Sequence, residues 1–199
     1  MLKASVFIES LILFFVILCC FFVALPLAIK TNQQERNMVK WEKNFSNMKY
    51  AFEILKIQSD SPVEGFISSE SQNKLKQILR EKASIKQSYH IDFMNDNMAK
   101  ETYVFNKFFE NEHGNIIGFK WINPKCRINE ICAVISVDIN GFKKPNKWGR
   151  DVYGIDLYRE GIEPSGSRKS FNELRKDCSR NGSGVYCSAY FLIGGLIVR

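Results

Sequence analysis

Ala4-Ser5-Val6-Phe7-Ile8-Glu9-Ser10-Leu11-Ile12-Leu13-Phe14-Phe15-Val16-Ile17-Leu18 leads into an apolar run, Leu11 to Ile29, with one acid, Glu9, at its threshold. A carboxylate at membrane depth costs roughly 2.5–3.5 kcal/mol on insertion scales, so it needs a partner or a purpose. The run has 19 residues. As a helix it rises about 28 Å, close to the roughly 30 Å hydrocarbon core of a bilayer. It is long enough to span a membrane once. It exceeds the roughly 7–15-residue core of a cleaved secretory signal, and Pro26-Leu27-Ala28 is a poor small-x-small cleavage site. Ile17-Leu18 before Cys19 and Cys20 does not resemble a lipid-attachment motif, and the two thiols behave as small hydrophobes. A retained segment is expected.

Helical periodicity continues beyond the run. Met38, Trp41, Phe45, Met48, Phe52 and Leu55 recur at alternating spacings of three and four, an apolar stripe along one side of a helix. Lys40, Glu42, Lys43, Asn44 and Lys49 make its solvated side. Ser5 to Ile57 then reads as one helix about 80 Å long, which Pro26 kinks rather than ends. Its first part, 5–30, belongs in lipid or a filament core. Its second part, 31–58, needs a partner for the stripe, and a globular head over 59–199 supplies one.

Ser59-Asp60-Ser61-Pro62 breaks the helix. A second helix is expected from about Ser69 to Ile85, and a third, short one from Tyr103 to Glu112. Residues 116–122, 131–137 and 151–158 read as strands rich in Ile, Val and aromatic residues. The tail, Tyr186 to Val198, is too short to cross a bilayer and is expected to pack on the head. The fold class is α+β: a long kinked N-terminal helix on a small antiparallel sheet with disulfide loops.

Cys126, Cys132, Cys178 and Cys187 all fall in the second half of the chain. An even number beyond a membrane anchor suits an oxidising compartment. Local pairs, Cys126–Cys132 and Cys178–Cys187, are the simplest of three connectivities; the spacings fit a four-cysteine zinc site poorly. The formal charge of +7 arises from 28 cations and 21 anions with no block of like charge. It marks solubility and predicts no specific nucleic-acid partner.

The start of the chain resembles the amino-terminal signature of type IV pilins and type II secretion pseudopilins. In those families a short basic leader is cleaved after a small residue, and glutamate is the fifth mature residue. With Ser5 first, Glu9 takes that place, and Pro26 falls where many pilins carry a helix-bending proline. The physical logic is independent of the family: cleavage before Ser5 creates an α-amino group with a pKa of about 7.7–8.0, mostly cationic at neutral pH. In a helical bundle that buried ammonium needs an opposite charge, and Glu9 of a neighbour supplies it. The resemblance implies a leader over 1–4, removed between Ala4 and Ser5 by a prepilin peptidase. It also implies methylation of the new terminus and ATP-driven assembly of copies into a pilus or pseudopilus. The location implied is the bacterial cytoplasmic membrane, single-pass, with the head extracytoplasmic. Glycine followed by phenylalanine is usual at the cleavage point; Ala4 and Ser5 stand there in this chain. The alternative is an uncleaved, membrane-anchored extracytoplasmic binding domain in which Glu9 makes no contact between subunits.

Asp138-Ile139-Asn140-Gly141, Pro145-Asn146 and Gly149-Arg150-Asp151 concentrate turn residues and oxygen donors, and Asn140-Gly141 is a strong turn signal. The segment looks like the DxNGxxxPNxxGxD stretch of some pilin-like proteins. Two readings stand: a rigid turn capped by its own Asp and Asn side chains, or a Ca²⁺ site using Asp138, Asn140, Asn146 and Asp151. Some secretion pseudopilins bind this ion in head loops, and Ca²⁺ takes 6–8 oxygen ligands. The spacing is not that of an EF-hand. The only histidines, His90 and His113, accompany no nucleophile, metal or phosphate-binding motif. A structural protein, not an enzyme, is expected.

Overall fold

A computed structural model describes residues 2–59, 77, 79–85, 89–95, 105, 107–123 and 125–195, except the side chains of 2–10, 23, 25–28, 30–32, 55, 58, 59, 83 and 84. Helix α1 runs Leu2–Ser59. The chain divides into two compact units, Met1–Arg36 and Asn37–Arg199, so the striped part of α1 belongs with the head.

The head is α+β. Among the described residues its six strands are β1 (Glu81–Ile85), β2 (Lys107–Asn111), β3 (Ile116–Trp121), β4 (Ala133–Asp138), β5 (Val152–Leu157) and β6 (Ile162–Pro164). They form one sheet in sequence order, each strand antiparallel to the next. Two short helices follow, α2 (Phe171–Asp177) and α3 (Cys187–Leu192). The strands expected at 116–122, 131–137 and 151–158 are β3, β4 and β5, and the tail packs on the head as α3. Two expected helices are corrected, the second at its end only. Residues 81–85, placed in the second helix, are β1, and residues 107–111, placed in the third, are β2; residue 77 is helical, and 69–76 and 78 lie outside the described residues.

Alternation sorts the sheet into two apolar faces. On the first, Ile117, Val137 and Tyr153 lie in register across β3, β4 and β5, as do Phe119, Ile135 and Ile155. This face takes the stripe of α1: Trp41, Met48 and Phe52 are buried, with Met38 and Phe45 packed at the margin. Leu55, the last stripe residue, has its side chain outside the described residues. The second face carries Phe108, Ile116, Val134 and Val152, covered by Phe93, Phe105, Trp148 and Val185. The row Gly118–Ser136–Gly154 crosses it. A Cβ at Gly118 would sit 2.6 Å from the Phe108 ring, so only glycine lets that ring lie against the sheet.

Trp41 joins the layers. It is fully buried. Its ring stacks on Tyr153 with centroids 5.0 Å apart, and its Nε1–H donates to the Ser188 carbonyl at 2.9 Å. Ser188 Oγ accepts from the Gly154 amide of β5 at 2.7 Å. Both local disulfides form, Cys126–Cys132 beside β4 and Cys178–Cys187 between α2 and α3. Asp177 secures the second loop, its carboxylate accepting from the amides of Ser183 at 3.0 Å and Tyr186 at 2.7 Å.

Replacing Trp41 by Ala removes a stacked ring and leaves the Ser188 carbonyl without its donor. The expected loss is about 3–5 kcal/mol of head stability. Urea unfolding of the purified chain, followed by near-ultraviolet circular dichroism, measures it. A loss below about 1 kcal/mol would show that α1 is not held through this contact.

Candidate functional site

The residues expected to govern processing and assembly, Ala4, Ser5, Glu9 and Pro26, lie on α1 with side chains outside the described residues. The apolar run beside them is partly described. Leu11 through Leu18, Phe21 and Phe22 are all exposed, Phe22 at 74%. Among the described residues no helix is long and apolar enough to cross a membrane; the side chains of 23 and 25–28, inside the run, are not among them.

The loop from β4 to β5 is described completely. Asp138 closes β4 and Asp151 precedes β5, and each is 1% exposed. Asp138 Oδ1 accepts from the Asn140 amide at 3.0 Å, a side-chain turn, and its Oδ2 accepts from the Tyr89 hydroxyl. Asp151 Oδ2 accepts from the Asn146 amide at 2.9 Å and from Asn140 Nδ2 at 3.1 Å. Its Oδ1 accepts from the Lys147 amide at 2.7 Å. Gly141 (φ 71°) and Asn146 (φ 51°) occupy the left-handed region that Gly and Asn tolerate best. The residue Asp92 docks alongside: its amide donates to the Asn146 carbonyl and its carbonyl accepts from the Trp148 amide, both at 2.9 Å.

All four residues expected as oxygen donors thus meet in one loop. Asn140 Oδ1 and Asn146 Oδ1 are buried without a hydrogen-bond partner. Among the described residues no group of three or more His, Cys, Asp or Glu side chains forms a metal cluster. The donors are all oxygen: two carboxylates and two amide carbonyls. That set suits Ca²⁺ and is poor for the softer transition metals. The turn-capping expectation is seen directly in the bonds of Asp138 and Asp151.

Burial raises the Asp138 carboxyl to about 7, with the charge of Asp151 adding and the bonds from Tyr89, Asn140 and Gly141 opposing. Burial also raises Asp151, against the pull of the Lys147 and Asn146 amides. Tyr89 is pushed up by burial and then by Asp138, so it stays a neutral donor. Tyr89 had no local signal in the sequence; it reaches Asp138 from 49 positions away. The histidines are engaged at the surface, His90 with Asp92 at 3.1 Å and His113 with Glu112 at 3.5 Å.

No family model matches this sequence, and no curated protein and no solved structure matches it either.

The raised Asp138 sets a direction for stability against pH. Between about 4, its unfolded value, and about 7 the native carboxyl holds a proton that the unfolded chain has released. Stability therefore falls as pH rises through that window, by up to about 1.4 kcal/mol per unit, and levels off above it. Urea midpoints in metal-free buffer should be higher at about pH 5 than at about pH 8, with a smaller difference in Asp138→Asn. An unchanged difference in that variant would assign the effect to other groups.

Proposed function

We propose that the chain is a structural subunit of a type IV pilus or type II secretion-like filament. The observation that carries this reading is the contrast within α1. From Trp41 to Phe52 its apolar residues are buried on an antiparallel sheet. From Leu11 to Phe22 the large apolar residues are bare. A contiguous apolar surface of that extent marks a place for lipid or another protein surface. Copies of the same segment and the bilayer are the two covers that a filament subunit uses in turn. Glu9 stands at the start of this surface, where a neighbour's ammonium would need it. Two formed disulfides suit a head outside the cytoplasm.

On this reading the chain inserts once in a bacterial cytoplasmic membrane, head outward. A prepilin peptidase removes residues 1–4, Ser5 is methylated, and an assembly platform adds the subunit to a helical filament. Glu9→Gln should remain inserted and cleaved but lose incorporation into filaments at least tenfold, read by shearing and immunoblotting in its own host. Wild-type incorporation by that variant, or a mature chain that still begins at Met1 by intact mass, would favour the anchored-domain alternative.

The two orphaned amide oxygens favour a second property, Ca²⁺ binding in the β4–β5 loop. Asp138, Asn140, Asn146 and Asp151 would hold the ion, which would supply only a fixed positive charge that locks the loop. At about 100 times its dissociation constant a ligand adds about 2.7 kcal/mol, or roughly 5–10 °C in melting temperature for a domain of this size. Thermal melts with and without Ca²⁺ at about pH 8, where Asp138 is ionised, should show that rise. Asp151→Asn should abolish it. Identical melts with Ca²⁺ and with chelator would leave the loop a turn held by its own donors.

A further inference from the structure

The β4–β5 loop has buried acids at its two ends and three exposed cations between them. Residues 139–150 contain four cations, Lys143, Lys144, Lys147 and Arg150, and no acid. The flanking Asp138 and Asp151 are buried and held by the loop's own donors. Lys143, Lys144 and Arg150 are exposed, and Lys147 is half-buried. Phe142, directly before Lys143, is 59% exposed. Its ring meets that of Tyr89 in a T-shaped contact, 6.2 Å between centroids, and Tyr89 is in turn bonded to Asp138. The tip is therefore a braced aromatic ring beside two exposed lysines, Lys143 and Lys144.

Its place in the head gives it a partner. Asn37, the first residue of the head unit, donates from Nδ2 to the Arg150 carbonyl at 2.8 Å. The Arg150 end of the loop thus lies against the first residue of the head unit. The apolar run ends at Ile29, eight residues earlier, and eight residues reach at most about 29 Å even fully extended. Whatever anchors the run keeps the loop on a short tether. Basic side chains are attracted to anionic headgroups, and aromatic rings favour the membrane–water interface. Nucleic acid would meet the same cations, but the tether to the apolar run favours lipid.

We propose that this loop is a contact site for anionic phospholipid headgroups, with Phe142 entering the interface and the exposed Lys143, Lys144 and Arg150 meeting the phosphates. The proposal rests on the membrane-inserted reading of the apolar run given above. The contact would steady the head on the membrane before its subunit is drawn into a filament.

The test uses the full chain as Cys19→Ala, Cys20→Ala, Phe142→Cys, carrying an environment-sensitive nitrobenzoxadiazole label at position 142. The protein is reconstituted into vesicles of phosphatidylcholine alone or mixed with phosphatidylglycerol. Flotation of both samples reports insertion, and label emission reports the loop. The expected result is insertion in both, with blue-shifted, brighter emission only where phosphatidylglycerol is present. Adding Lys143→Glu and Lys144→Glu should remove at least half of that change, and salt near 1 M should remove most of it. Flotation in both with identical emission overturns the loop proposal and leaves the filament reading standing. A label that ignores lipid but responds to duplex DNA overturns it in favour of a nucleic-acid surface. Failure to float in either preparation overturns both readings.

Discussion

Trp41 is the side chain through which the helix and the sheet become one head. A helix stripe and a sheet face of similar apolarity can pack in many sliding registers, because hydrophobic burial is non-directional. The indole removes that freedom. Its ring lies on Tyr153, and its N–H is held by the Ser188 carbonyl. Ser188 is at once the residue that satisfies a β5 amide beyond the end of the short β6. The contact therefore fixes three things together: the rotation of α1, the termination of the sheet and the position of α3. The Cys178–Cys187 bond then shortens the chain between α2 and α3 so that Ser188 cannot wander. A buried donor without its acceptor costs about 1–3 kcal/mol, and this specifies the register that apolar area alone would leave open.

The β4–β5 loop uses the same principle with charge in place of an indole. Burying two carboxylates near one another is unfavourable, and the loop lowers that cost by pointing three amides, a side-chain amide and a phenol at them. Each donor fixes a part of the backbone, so the acids act as the loop's framework. The framework is imperfect. Two amide oxygens stay unpartnered and one carboxyl rises to about 7, which makes the loop sensitive to protons and to any cation that needs oxygen.

The sequence was legible where one local signal dominated. Strands β3 to β5 are runs of Ile, Val and aromatic residues bounded by turns, and the stripe on α1 repeats at helical spacing. Both disulfides followed from proximity along the chain. β1 and β2 were misread because their sequences, Glu-Lys-Ala-Ser-Ile and Lys-Phe-Phe-Glu-Asn, are charged at one or both ends and lack β-branched runs. β1 is an edge strand, where charge is tolerated because one side meets water; its state is decided by pairing with β2. The oxygen donors of the loop were readable as turn residues, since Asp-x-Asn-Gly is a local pattern. Tyr89 was not, because its role exists only after the sheet has formed.

Net charge is a poor guide to this molecule and charge placement a better one. An excess of seven cations over a chain of this length reads as ordinary solubility. That reading assumes acids and bases are mixed on the surface. In the β4–β5 loop folding unmixes them: two aspartates become interior supports, while Lys143, Lys144, Arg150 and the Phe142 ring stay exposed. The same burial that stiffens the loop also creates its electrostatic character. Structure and interaction surface here have one cause, the removal of two carboxylates from water.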